Sequence, residues 1–92
     1  MSEYIEIDTE LGDDGVILIH TNLRLTPEDV EEHYLSTAEL EEGSPVAQTL
    51  AAIEGIESLI MYDGEMTIRT QPGADWHAVI AEVTTALKDF FL

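Results

Sequence analysis

Ninety-two residues make one domain, because a chain this short cannot enclose two cores of ordinary size. Twenty acidic residues against three basic ones give a formal charge of −17; phosphate backbones and anionic lipid surfaces repel such a chain, which excludes nucleic acid and membranes as partners. There is no cysteine, so disulfides, thiol catalysis and thiolate ligation of a metal or cluster by this chain are excluded.

The apolar share of 45% is enough for a core, but no apolar run is long enough to cross a bilayer. The opening residues MSEYIEIDTE lack the basic and apolar regions of a secretory leader, so the expected location is the cytoplasm. Residues 1–46 hold thirteen acids and only Arg24 as a base, whereas 47–92 hold seven acids with Arg69 and Lys88. Adaptation to a high-salt cytoplasm and plain acidity in an ordinary cell both fit this balance. Disorder does not fit, because the apolar residues are periodic.

In chain order, Tyr4–Ile7 reads as a short strand, Leu11–Gly15 as a turn and Val16–Thr21 as a second, β-branched strand. Thr26-Pro27-Glu28-Asp29 then carries a helix-start pattern, predicting a helix to about Leu35. Ser36 to Glu39 forms another capping box, which allows a second short turn before Gly43. Ser44-Pro45 starts the next helix, with Val46, Leu50 and Ile53 on one stripe and Gly55 at its end. Ile56–Tyr62 and Glu65–Thr70 flank Asp63-Gly64, a dipeptide suited to a type I′ hairpin with positive φ at Gly64. Asp75 caps a final helix whose apolar positions are Trp76, Val79, Ile80, Val83, Leu87 and Phe90 or Phe91. The order β-β-α-α-β-β-α predicts an α+β two-layer sandwich: a mostly antiparallel four-stranded sheet with helices on one face.

Chemistry-bearing constellations are sparse. On the predicted first helix Asp29 and His33 stand at i and i+4 and share a face, with Glu28 or Glu32 near them; they are the candidate metal ligands. The Asp8–Asp14 stretch alternates carboxylates but lacks the glycine and the closing glutamate of a calcium loop. No serine is framed by glycines as a nucleophile turn, and no glycine spacing would cradle a phosphate. The expectation is therefore a non-enzyme without a cofactor. Four large apolar residues at element ends, Met61, Tyr62, Phe91 and Leu92, are left outside the periodic core pattern. They are the candidate partner-binding residues, suited to a partner with an apolar centre and a basic rim.

The second half carries a family pattern. Ser44-Pro45-Val46-Ala47, Leu50, Ile53-Glu54-Gly55-Ile56, the Met66-Thr67-Ile68 strand, Asp75-Trp76 and Phe90-Phe91 resemble the N-terminal domain of Nfu/NifU-type iron–sulfur scaffold proteins over residues 44–91. In the first half, Thr21-Asn22-Leu23-Arg24 is the nearest counterpart of that family's Asn-Pro-Asn loop. The resemblance implies a single accessory domain over 1–92, without the cysteine-bearing C-terminal domain that holds the cluster. It implies a protein-interaction role in cluster assembly, with a cysteine-bearing iron–sulfur carrier or an apo-recipient protein as partner. The alternative from the residues alone is an acidic metal- or small-ligand-binding protein using Asp29, His33 and neighbouring carboxylates.

Overall fold

The computed structural model describes residues 5–12, 15–26 and 29–91. Strands β1 (Ile7–Leu11), β2 (Val16–Thr21) and β3 (Glu31–Tyr34) are followed by helices α1 (Thr37–Glu41) and α2 (Pro45–Ala51). Strands β4 (Ile56–Tyr62) and β5 (Glu65–Thr70) and helix α3 (Trp76–Phe91) complete the chain. The sheet has five strands in the order β1-β2-β5-β4-β3, and every pairing is antiparallel. The α+β class and the helix layer are as expected; the strand number and element order are not.

The additional strand replaces the predicted first helix. Thr26 does not cap a helix: its buried hydroxyl accepts from the Asp63 N–H at 2.9 Å, and Leu25 N–H donates to the Asp63 carbonyl at 2.8 Å. That ties the segment to the β4–β5 turn. Asp29 then takes φ of 61°, a left-handed conformation that no helix interior admits. Residues 31–34 run on as an edge strand in register with β4, Glu31 opposite Tyr62 and His33 opposite Ile60. Pro27 and Glu28 lie outside the described residues.

β1 also starts later than Tyr4–Ile7 predicts and runs through Asp8-Thr9-Glu10, because pairing with β2 (Thr9 opposite Ile19) decides its span. Charges are tolerated there because the strand is at the sheet edge.

Local signals set the helices. Ser36 Oγ accepts from Glu39 N and Ser44 Oγ from Ala47 N, each at 3.3 Å, and Pro45 follows its cap, where its missing N–H costs nothing. α2 stops at Ala51, earlier than the apolar stripe predicts, and Ile53 lies in the following turn, half-buried. Gly55, at φ 98°, lets the chain turn into β4; a Cβ there would press on Val79 Cγ2 at 2.9 Å. Asp75 opens α3 as expected, its Oδ1 accepting from His77 N at 3.0 Å.

The core lies between the sheet and the helices. Ile17 and Ile19 of β2, Leu59 and Met61 of β4, and Met66 and Ile68 of β5 point inward. Leu40, Val46, Ala47, Leu50, Val79, Val83 and Leu87 meet them from the helices. Each such large side chain contributes about 1.5–3 kcal/mol through burial, and the alternation of inward and outward residues fixes the strand register.

Candidate partner-binding face

All three helices pack on one side, so the other side of the sheet is covered by no element among the described residues. Strand alternation decides what it shows. One row across it runs Glu10, Leu18, Thr67, Ile60, His33; the next runs Asp8, His20, Glu65, Tyr62, Glu31. Val16, Arg69 and Ser58 border the first row on its other side. The centre is thus apolar, with Ile60 38% and Tyr62 41% exposed and Leu18 and Val16 half-buried. Carboxylates and imidazoles surround it. Tyr62 OH donates to Asp29 Oδ1 at 3.4 Å, His33 Nε2 pairs with Glu31 Oε1, and His20 Nδ1 lies 3.8 Å from Glu65 Oε1.

Of the candidate partner residues, the structure brings only Tyr62 to this face. Met61 is fully buried and is corrected to a core residue: it stands two residues after Leu59 on the inward face of β4 and pairs with Met66 across the strands. Phe91 is half-buried against the core at the far end of α3, and Leu92 lies outside the described residues. Two aromatics differ from expectation as well. Trp76 is 37% exposed and stacked on the His77 ring at 3.6 Å, and Phe90 is 41% exposed, edge-on to Phe91 at 4.9 Å.

The metal candidates lose their geometry. Asp29 and His33 do not share a helix face, because 31–34 is a strand and Asp29 precedes it in a turn. Asp29 instead receives the Tyr62 hydroxyl, and the His33 imidazole is engaged by Glu31. Among the described residues, no group of three or more His, Asp and Glu is placed to hold a metal ion.

Sequence reasoning missed Ile60 and Leu18 as surface residues, since both lie inside apolar runs; the available signal for Ile60 was the alternation of Met66 and Ile68 with Thr67 and Arg69 across the hairpin, which sets Ile60 opposite Thr67. It also missed an open groove of about 920 Å³ between the end of α2 and the start of α3. Its walls mix alanines, Ile53, Gly55 and Val79 with Thr37, Gln71, Glu54, Asp75 and Glu82. None of its lining residues is a serine, histidine or lysine.

The fold is a small α+β sandwich with one face of its sheet open among the described residues. The family model described as "Scaffold protein Nfu/NifU N terminal" matches residues 13–92, and the chain belongs to that family. The match extends through the first half, well beyond residues 44–91. Protein SAV1430 from Staphylococcus aureus has the same fold, with a TM-score of 0.68 at 16% identity over 89% of this chain and 94% of that one. SeR13 from Staphylococcus epidermidis aligns with a TM-score of 0.57 at 18% identity over 96% of this chain and 98% of its own. No curated protein matches the sequence. No helix among the described residues is long and apolar enough to cross a membrane.

Proposed function

We propose that this domain is a non-catalytic protein-interaction module of iron–sulfur cluster assembly, and that it docks its partner on the open face of the sheet. The observation that carries this reading is the exposure of Ile60 and Tyr62 in and beside the apolar middle of a sheet whose other face is fully used by the core. Burying that centre would supply affinity, and the acids around it would speed encounter with a basic-rimmed partner. Membership of the scaffold family supports iron–sulfur proteins as the partner class. The cluster itself is cargo held by the partner's cysteines, since this chain has none. A non-catalytic role is supported by the histidines: His20, which lines an open cleft, and His33 are each about half-exposed and paired with a single exposed carboxylate.

The test is titration of the isotope-labelled domain with a purified cysteine-bearing carrier and with an apo-recipient protein. Saturable shifts centred on Leu18, Ile60, Tyr62 and Thr67 are expected. Ile60→Asp and Tyr62→Ala should each weaken binding by about tenfold or more while the fold is kept. Absence of binding to either class of protein, or binding indifferent to both substitutions, overturns the reading.

A further inference from the structure

The two outer strands of the sheet, β1 and β3, differ in what they offer at their free edges. In β1 the bond from Gly12 N to the Val16 carbonyl (2.8 Å) and the bond from Asn22 N to the Glu6 carbonyl (3.3 Å) fix which residues face β2. With the register Asp8–His20 and Glu10–Leu18, the backbone groups of residues 6, 8, 10 and 12 point at β2. Those of Ile7, Thr9 and Leu11 point away, leaving three N–H groups and three carbonyls along an edge with no neighbouring strand among the described residues.

The side chains divide the same way. Ile7, Thr9 and Leu11 lie on the helix side, opposite Thr21, Ile19 and Ile17, and none is charged. Ile7 packs against the margin of the core, but the helix layer stops short of Thr9 and Leu11, Leu11 being 50% exposed. Asp8 and Glu10 lie on the outer side. β3 is different: it carries an acid on each face, Glu31 outward and Glu32 on the helix side, and an inward-facing charge is an ordinary device against strand addition. β1 has no such charge.

We infer that β1 is a docking edge for an extended segment of a protein partner in which basic and apolar residues alternate. Main-chain hydrogen bonds to Ile7, Thr9 and Leu11 would supply the pairing. Apolar residues of the incoming strand would stand opposite these three on the helix side, and basic ones opposite Asp8 and Glu10, where cross-strand pairs of opposite charge are favourable. A second copy of this chain is the wrong occupant. Two β1 strands added antiparallel about Thr9 would set Asp8 against Glu10 twice, and like charges directly opposite are destabilising.

The probes are an end-capped heptapeptide of alternating lysine and valine, the same composition with the alternation scrambled, and a glutamate–valine counterpart, all at physiological salt. The alternating lysine peptide should protect the Ile7, Thr9 and Leu11 amides from exchange and leave those of Asp8 and Glu10 nearly unchanged. The other two peptides should do neither. Thr9→Pro removes an edge donor without touching a bond to β2 and should weaken binding by about tenfold or more with the melting temperature kept. Should that variant fail to fold, the double variant Asp8→Lys, Glu10→Lys decides, since it should exchange the lysine peptide for the glutamate one. Shifts spread over the acidic surface without protection of the three amides, equal binding of the scrambled peptide, or no exchange of preference in the double variant overturns the inference. The outcome is read at β1 and is separable from the sheet-face reading, which is read at Ile60 and Tyr62.

Discussion

The Met61 side chain is fully buried while the next one in the chain, Tyr62, is 41% exposed, and the pair gives a direct test of strand orientation. Met61→Ala should cost about 2–4 kcal/mol, the transfer term plus the cavity it leaves. Tyr62→Ala should cost clearly less, about 1 kcal/mol, because it leaves no enclosed cavity and removes one long hydrogen bond and only partial burial. Urea midpoints of the two variants measure this, and equal losses would mean that β4 is read on the wrong face. The hairpin glycine is a second residue-scale case. The sequence points to a two-residue turn at Asp63-Gly64, and the turn is there. Its φ signs differ from type I′: Asp63 is at 51° and Gly64 is not in the positive region, the sign pattern of type II′. Gly64 is required for another reason, since a Cβ on it would collide with the Thr21 carbonyl oxygen, whose own N–H donates to the Gly64 carbonyl. Gly64→Val should therefore destabilise by about 1–3 kcal/mol, and Gly64→Ala should destabilise as well, which a φ requirement met by Asp63 alone would not produce. An unchanged midpoint for Gly64→Ala would contradict the close approach.

At the level of elements, the sequence is legible wherever a cap or turn residue sits beside an apolar period. Ser36, Ser44-Pro45, Asp63-Gly64 and Asp75 each mark a boundary that the structure keeps. Of the two edge strands, β1 was placed too early and β3 was hidden, because their residues carry no such period. Glu31-Glu32-His33-Tyr34 has one aromatic in four residues, and the Thr26-Pro27-Glu28 pattern before it favours a helix. What decides β3 is non-local: Thr26 and Leu25 bind the β4–β5 turn, and β4 supplies the pairing. The candidate site was obscured for a related reason: helices on one face were expected, but the residues that the open face presents follow from the strand order and register. The topology makes a prediction at this scale. β5 is the middle strand of the five, flanked by β2 and β4, and its inward residues Met66 and Ile68 are fully buried. Native-state hydrogen exchange should be slowest in β5 and in the faces of β2 and β4 that bond to it, and faster by orders of magnitude in β1 and β3, which open first. Comparable protection in β3 and β5 would argue against the strand order.

Across the whole molecule the charge is almost uncompensated. Among the described residues the ion pairs are His20–Glu65, His33–Glu31 and Arg24–Asp63, and only the last has a permanently charged base, at 3.9 Å with both side chains largely exposed. An exposed pair of that kind contributes about 0–1 kcal/mol, too little to offset the mutual repulsion of a net −17. The repulsion acts on the compact state more than on the expanded chain, because folding brings the acids together. Salt screens it: the Debye length falls from about 10 Å at 0.1 M to about 3 Å at 1 M. The melting temperature should therefore rise steadily from low to molar potassium chloride. Screening is separable from a general salting-out effect by substitution. Replacing outward carboxylates that take no part in caps or pairs, such as Glu10, Glu57 and Glu82 by Gln, should raise the low-salt melting temperature and flatten its dependence on potassium chloride. A slope unchanged by these substitutions would assign the salt effect to apolar burial, which concentrated salt also strengthens; a melting temperature indifferent to salt in the unsubstituted chain would mean that the acids are too far apart in the fold to repel one another measurably.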